Sequence, residues 1–446
     1  MRRTHAEDIV EFMGFSGSRD NLDGLLKTSR RNAEKLLQWL DDSGLAFYFL
    51  QKAKDADATG PIPDWMLSHL EKHFSANQQR MDSMWHRFKV LNQKFDAAGV
   101  RYAVLKGFSL VPDFCPQLAL RHQSDFDYLV DEDSASTAQQ VLRDAGYSLK
   151  PPVSDQEFVF LPPEMGEPSR GAEGYYAAGP HAVELHLDVW DSDLNRLPAV
   201  AKLFSAERAT VHNWNGLEFP ALMDEDAFLV QVLHTFRHLF TYWIRMSNLF
   251  EISYFLKHRA SDRALWNGIE QRVGDSIVLR EFVVILTELV AKLFASPIPP
   301  LVRTWGQTIR PEIRVWIENY ARDCALCDLP VYEFSLLPRS KLVLFLLQQY
   351  DPFCAQKHSV RNQLIVPSRL GRIAAAVRND PSLLLNARWW KRQHLGRRAN
   401  FHVLGGLRYF CEIPRWRWRN RARLQPAPLN GDLLDRSVAG KAGTTP

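Results

Sequence analysis

In Asp125-Phe126-Asp127-Tyr128-Leu129-Val130, two acids open an otherwise apolar run. Side chains alternate between the faces of a strand. Asp125 and Asp127 therefore share one face, with Cα atoms roughly 6.5–7 Å apart, while Phe126, Tyr128 and Val130 take the other. Acids are poor strand formers, so a pair of them at a strand start asks for a chemical reason. Asp-x-Asp alone is cheap, since it recurs at Asp131/Asp133, Asp191/Asp193 and Asp224/Asp226. The first and last of these precede helices, where acids cap free N–H groups, and Asp191/Asp193 read as turn residues.

A third acid lies in a similar setting. Along Ala182-Val183-Glu184-Leu185-His186-Leu187-Asp188-Val189, the apolar side chains face one way and Glu184, His186 and Asp188 the other. If this strand lies beside Asp125–Val130, Glu184 joins the two aspartates. Two unit charges 4 Å apart repel by about 4 kcal/mol at an effective dielectric of 20. Clustered carboxylates must then hold protons or recruit cations, and hard ions with oxygen ligands, Mg²⁺ or Mn²⁺, suit them. The plainer alternative is three separate surface acids of an α/β domain.

Upstream, Tyr102-Ala103-Val104-Leu105 reads as a buried strand running into Lys106-Gly107-Phe108-Ser109 and a short helical stretch. A glycine at such a turn lets backbone N–H groups approach a phosphate. Lys106 offers a point charge and Ser109 a hydroxyl. Arg121, four residues before Asp125, is able to grip a phosphate bidentately.

Around this core the texture is helical. Trp65, Leu67, Leu70, Phe74, Met81, Met84, Phe88, Leu91 and Phe95 form a stripe that predicts a helix from Pro63 to Ala98. Further strands are expected at Glu157–Leu161 and Gly174–Ala177, and a helix ending at Asp144. Helices return at about Asp226–His258, Ser276–Phe294, Glu312–Cys324 and Lys341–Tyr350. The expected architecture is α+β, a small mixed-sheet core flanked by N- and C-terminal helical regions. Its expected division is a helical region over 1–98, the core over 99–214, a helical domain over 215–360 and a basic Trp/Arg-rich segment with a loose tail over 361–446.

Taken together, Val104-Leu105-Lys106-Gly107, Arg121-His122-Gln123-Ser124-Asp125-Phe126-Asp127, Ala145-Gly146-Tyr147 and Glu184-Leu185-His186 resemble an uncharacterised nucleotidyltransferase family of the DNA polymerase β-like superfamily. The resemblance implies that Asp125, Asp127 and Glu184 hold metal, with Gly107 and Ser109 in the nucleotide-phosphate loop and Lys106, Arg121 and Ser124 beside them. It implies an NTP substrate, ATP foremost, and Mg²⁺ or Mn²⁺. Over the helix after Asp226, His234, His238 and Arg245 match the family's pattern, and Glu251 stands where Asp is commoner. Phe108 departs from it, because the superfamily usually has a second small residue there.

His234, His238 and Arg245 are expected on one helical stripe, as network residues or facing the nucleotide or acceptor. His186 and Asp188 are auxiliary candidates. The formal charge of +4 over 446 residues implies no nucleic-acid partner by itself. Between Arg361 and Arg423, however, fifteen Lys and Arg face only Asp380 and Glu412. That segment reads first as a solvated helical face packed through its tryptophans, ahead of a membrane surface or nucleic acid as its partner. Five cysteines make no disulfide framework, and Cys324 and Cys327 read as a structural pair of thiols. With no signal-peptide or membrane-span pattern, a cytoplasmic enzyme is expected. Its acceptor (small molecule, peptide, protein or RNA) is not written in the sequence. The alternatives are a non-catalytic nucleotide-binding or regulatory protein on the same fold, or a nucleic-acid-binding protein acting through the basic segment.

Overall fold

The computed structural model describes residues 5–26, 28–150, 156–163, 176, 181–189, 203–241, 245–326 and a few isolated positions beyond. Most of the expected strand at Gly174–Ala177, the helix at Lys341–Tyr350, Cys327 and nearly all of the basic segment lie outside the described residues.

The chain opens with α1 (His5–Met13), α2 (Asp23–Leu26), α3 (Arg30–Ser43), α4 (Ala46–Asp55) and the long α5 (Asp64–Ala97). It then forms β1 (Tyr102–Val104), β2 (Asp125–Val130), α6 (Ala135–Asp144), β3 (Ser148–Leu149), β4 (Glu157–Leu161) and β5 (Ala182–His186). A hairpin, β6 (Ala209–Trp214) and β7 (Leu217–Leu222), completes a seven-stranded sheet of order β3-β4-β5-β2-β1-β7-β6. The β2–β5 and β1–β7 pairs are parallel and the others antiparallel, so the sheet is mixed. The helices that follow are α7 (Asp224–Thr241), α8 (Met246–Arg259), α9 (Arg263–Val273), α10 (Ile277–Phe294), α11 (Pro300–Thr308), α12 (Pro311–Asn319) and α13 (Ala321–Ala325).

Alternation in β2 sorts the two sides of the sheet. Phe126 and Tyr128 point at α5, where Phe88 lies 6.1 and 6.3 Å from their rings and Phe95 meets Tyr128 edge-on at 5.2 Å. Phe219 of β7 and Phe108 join Phe88 from the same side at 5.0 and 4.5 Å. Such tilted and edge-on ring pairs add to the burial of apolar area that holds α5 on the sheet. Phe108, the departure from the family pattern, is thus a core residue 1 % exposed.

The other side carries Asp125 and Asp127 and is covered by α7. Behind α7 stands α10, which buries Val278, Leu279, Phe282 through Leu286, Leu289, Val290 and Leu293. An apolar helix buried nearly all round must be enclosed by its neighbours. α1 packs on it from the far N-terminus, with Phe15 N donating to Phe294 O at 2.8 Å. One apolar cluster consequently runs from Ala6 to Ala325. No helix among the described residues is long and apolar enough to cross a membrane.

Several elements differ from expectation; the helix expected over Glu312–Cys324, for one, breaks at Tyr320 into α12 and α13. The single helix expected over Asp226–His258 is two, because Arg245 is extended (φ −83°, ψ 130°) and caps the start of α8. Arg245 therefore does not continue the helical stripe of His234 and His238. The β6–β7 hairpin was not foreseen. Its turn is Asn215-Gly216, both with positive φ (48° and 74°), the geometry that right-twisted two-residue hairpins require.

Candidate active site

The loop entering β2 is held from α5 by polar groups set into that helix's apolar stripe. Asn77 Nδ2 donates to the carbonyls of Ala119 and Arg121, each at 2.8 Å, and Arg80 Nη2 donates to Gln123 O at 2.8 Å. Buried backbone carbonyls need such partners, which explains why Asn77 and Arg80 are buried. Gln123 in turn donates from Nε2 to Asp125 O at 2.7 Å. Gly107 presses against this side chain with φ +69°, and a Cβ there would lie 2.2 Å from Gln123 Nε2. Glycine is required at this approach. Residues Gly107–Leu110 form a single 3-10 turn, with Ser109 Oγ 3.5 Å from Lys106 O.

The parallel register of β2 and β5 sets Asp127 opposite Glu184, Asp125 opposite Ala182 and Leu129 opposite His186. Paired residues project to the same face, so Asp125, Asp127, Glu184 and His186 all rise from one side of the sheet. Asp127 Oδ1 lies 2.8 Å from Lys106 Nζ and 3.1 Å from His186 Nε2, and that nitrogen is 3.7 Å from Glu184 Oε2. Ligand atoms of Asp127, Glu184 and His186 all fall within 4.8 Å of one another. Asp125 is outside this tightest group. It sits one step back along the strand, half-buried, with the Ser124 side chain hydrogen-bonded to it.

Electrostatics divides the acids. Burial works against ionisation of Asp127, but Lys106 and His186 outweigh it and hold its carboxyl well below the usual range. Asp125 moves the other way, raised by burial and then by Asp127, with Lys106 and Arg245 opposing. Glu184 is pushed up to about 7 by burial and the two aspartates. Lys106, although buried, is held charged by Asp127, Glu184 and Asp125. The site is thus an anionic cluster with one internal ammonium.

Lys106 and His186 also line a pocket between the sheet and α7, whose remaining walls include Leu105, Val230, Leu233 and His234. His234 therefore looks onto the carboxylate side, and His238 one turn on meets its ring edge-on at 4.5 Å. Asp188 is buried just past the end of β5, which stops at His186 rather than Val189. Burial raises the carboxyls of Asp125 and Asp42, and Arg245, at the start of α8, opposes the rise in both. Arg121 directs its Nε to Glu251 Oε1.

Sequence reasoning gave no role to Gln123, Asn77, Arg80 and Asp42, and it did not foresee the ion pair of Lys106 with Asp127. The signal for the first three was present as polar residues interrupting the apolar stripe of α5 and standing before β2. Nothing local marked Asp42.

A mixed sheet with acids on neighbouring parallel strands, covered by a helix, is the core of a nucleotidyltransferase-like fold. The model of the family described as uncharacterised nucleotidyltransferase matches residues 29–295. The chain belongs to that family. A search of curated proteins finds no match to it.

Proposed function

We propose that this protein transfers a nucleoside monophosphate from an NTP, ATP foremost, to an acceptor group, with Asp125, Asp127 and Glu184 as the metal-holding acids. The observation carrying this reading is the one-to-one pairing of Asp127 with Glu184 in parallel strands, with Asp125 on the same face. In the reaction a nucleophile on the acceptor attacks the α-phosphorus. The bond to the bridging oxygen breaks, and pyrophosphate leaves.

The donor set fits Mg²⁺ or Mn²⁺. Carboxylate oxygens are the ligands such ions take, and the anionic crowding that raises Asp125 and Glu184 is what a dication relieves. When bound, the ion supplies charge stabilisation for the attacking and leaving oxygens. The chain's own groups do the rest. Gly107 opens the turn at which a phosphate chain can approach the backbone. Lys106 is a cation already at the face and is placed to neutralise phosphate oxygens. Val230 and Leu233 wall the pocket on the α7 side, and His186 Nε2, between Asp127 and Glu184, donates to Asp127 and so holds that carboxylate in place.

Release of pyrophosphate, or movement of label from [α-³²P]ATP, is compared in wild type, Asp125→Ala and Asp127→Ala with Mg²⁺ or Mn²⁺ present. Loss of roughly a thousandfold or more in both variants is expected. Equal labelling in all three ends the proposal. One observation favours a second reading: Lys106 Nζ already bonds Asp127, as a cation would in a non-catalytic nucleotide-binding relative. Calorimetry showing nucleotide binding unaffected by chelator, with no turnover, would select it.

A further inference from the structure

We infer that Asp41, His69 and His73 form a second metal site, built for a late first-row divalent ion such as zinc and separate from the carboxylates of β2 and β5. His69-Leu70-Glu71-Lys72-His73 places two imidazoles one turn apart on α5, and residues four apart on a helix face the same way. Asp41, near the end of α3, comes over them from the neighbouring helix. One ligand atom from each of the three lies within 4.8 Å of the others.

The spacings fit a shared ion better than a direct contact. His69 Nε2 and Asp41 Oδ2 are 3.9 Å apart, too far for a hydrogen bond. Two ligands about 2.0–2.1 Å from a tetrahedral ion stand roughly 3.3–3.5 Å from each other, so a shift of about half an ångström brings His69 and Asp41 to that spacing. The two rings stand 3.9 Å apart, tilted by 53°, a convergent arrangement rather than a parallel stack.

The surroundings supply what such a site needs. Tyr176 O–H donates to Asp41 Oδ1 at 2.8 Å, fixing the carboxylate while Oδ2 faces the imidazoles. Outer partners of this kind orient metal ligands. His73 is buried and Asp41 nearly so, while His69 is about one-third exposed (32 %), which gives the ion an entry path and leaves a coordination position toward solvent. Two nitrogens and one oxygen suit zinc, whereas the set around Asp127, with Glu184 and Asp125 on the same face and one imidazole, is richer in carboxylate oxygen and suits Mg²⁺ or Mn²⁺ better. The ion would clamp α3 to α5 and to Tyr176. It does not depend on the nucleotidyl-transfer reading.

Zinc content is measured by atomic emission on full-length protein carrying no polyhistidine tag, dialysed against excess Mg²⁺. The variants are His69→Ala, Asp41→Asn and Asp127→Asn. Asp41→Asn keeps an acceptor for Tyr176 and removes the anionic ligand. Circular dichroism melts establish that each variant is folded. Wild type and Asp127→Asn are expected to retain about one zinc per chain, and the other two to bind at least roughly tenfold more weakly. Added Zn²⁺ should raise the melting temperature of wild type but not of His69→Ala. Three results each overturn the inference: wild type that binds no zinc, equal retention in folded His69→Ala, or loss of zinc on Asp127→Asn.

Discussion

Arg121 Nε donates to Glu251 Oε1 across 2.6 Å, joining the loop before β2 to α8, 130 residues further along the chain. Glu251 also accepts from Tyr48 O–H of α4 at 2.8 Å, so one buried carboxylate ties three parts of the fold behind the candidate site. Glu251→Ala leaves the Arg121 guanidinium buried without its counter-charge. That should cost about 3–5 kcal/mol in urea unfolding at pH 7. Glu251→Gln, which retains an acceptor, should lose less. Unfolding midpoints indistinguishable from wild type would show that the pair adds nothing to stability.

Asp125 and Asp127 should respond oppositely to neutralisation in chelator-treated protein. Asp125 is crowded by burial and by Asp127, so Asp125→Asn relieves repulsion and should stabilise by about 1 kcal/mol while removing transfer activity. Asp127 is the direct partner of Lys106 and His186, so Asp127→Asn strands a buried ammonium and should destabilise by about 3 kcal/mol. Thermal melts of both proteins decide the matter, and shifts of the same sign would contradict the charge arrangement described.

Glu184 sets one pH dependence. Its carboxyl is raised to about 7 in the folded protein by burial and by both aspartates, against 4.5 for the unreacted side chain. Between those values the folded chain holds a proton that the unfolded chain has lost. Its contribution is therefore full below pH 4.5 and is lost as pH rises through 7. Glu184→Gln mimics the protonated form. In chelator, the variant should gain on wild type by on the order of 2 kcal/mol between pH 5 and pH 8. Parallel stability curves over that range would refute the placement of this acid among the other two.

His181 sets the opposite slope. Burial, with Arg80 and Arg87 nearby, pushes it down to about 3, and neither ring nitrogen has a hydrogen-bond partner among the described residues. The unfolded chain takes up this proton near pH 6.5 while the folded chain does not. Stability present above pH 6.5 is consequently lost as pH falls toward 3. Wild type should lose on the order of 2 kcal/mol more than His181→Gln between pH 7.5 and pH 5, read by denaturant titration at the two values.

The carboxylate face was legible because two strands announced themselves by alternation. Asp125–Val130 appears with the bounds expected, and Ala182–His186 forms beside it with Glu184 on the shared side. α5 was legible through its apolar stripe. The β6–β7 hairpin was not, because its outer strand is polar, Val211 is 68 % exposed and Pro220 stands inside β7. The Asn215-Gly216 dipeptide was the local clue that outweighed those features. The break before α8 also escaped, since no proline or glycine stands between Thr241 and Met246 to mark it. Lys106 beside Asp127, and Asp41 above His69 and His73, are products of tertiary packing between segments distant in the chain, and no spacing rule reaches them.

The residue-for-residue match of β2 to β5 also limits how this protein can change over generations. Sliding β5 by one position would turn Glu184 into the aromatic layer beneath α5 and bring Val183 or Leu185 up among the aspartates, so reactivity and folding would fail in the same step. The spacing of the third acid cannot drift gradually. It can be adjusted only by the length of the side chain at position 184, one methylene at a time, and that makes the position a ratchet on which ion and which substrate the face can accommodate.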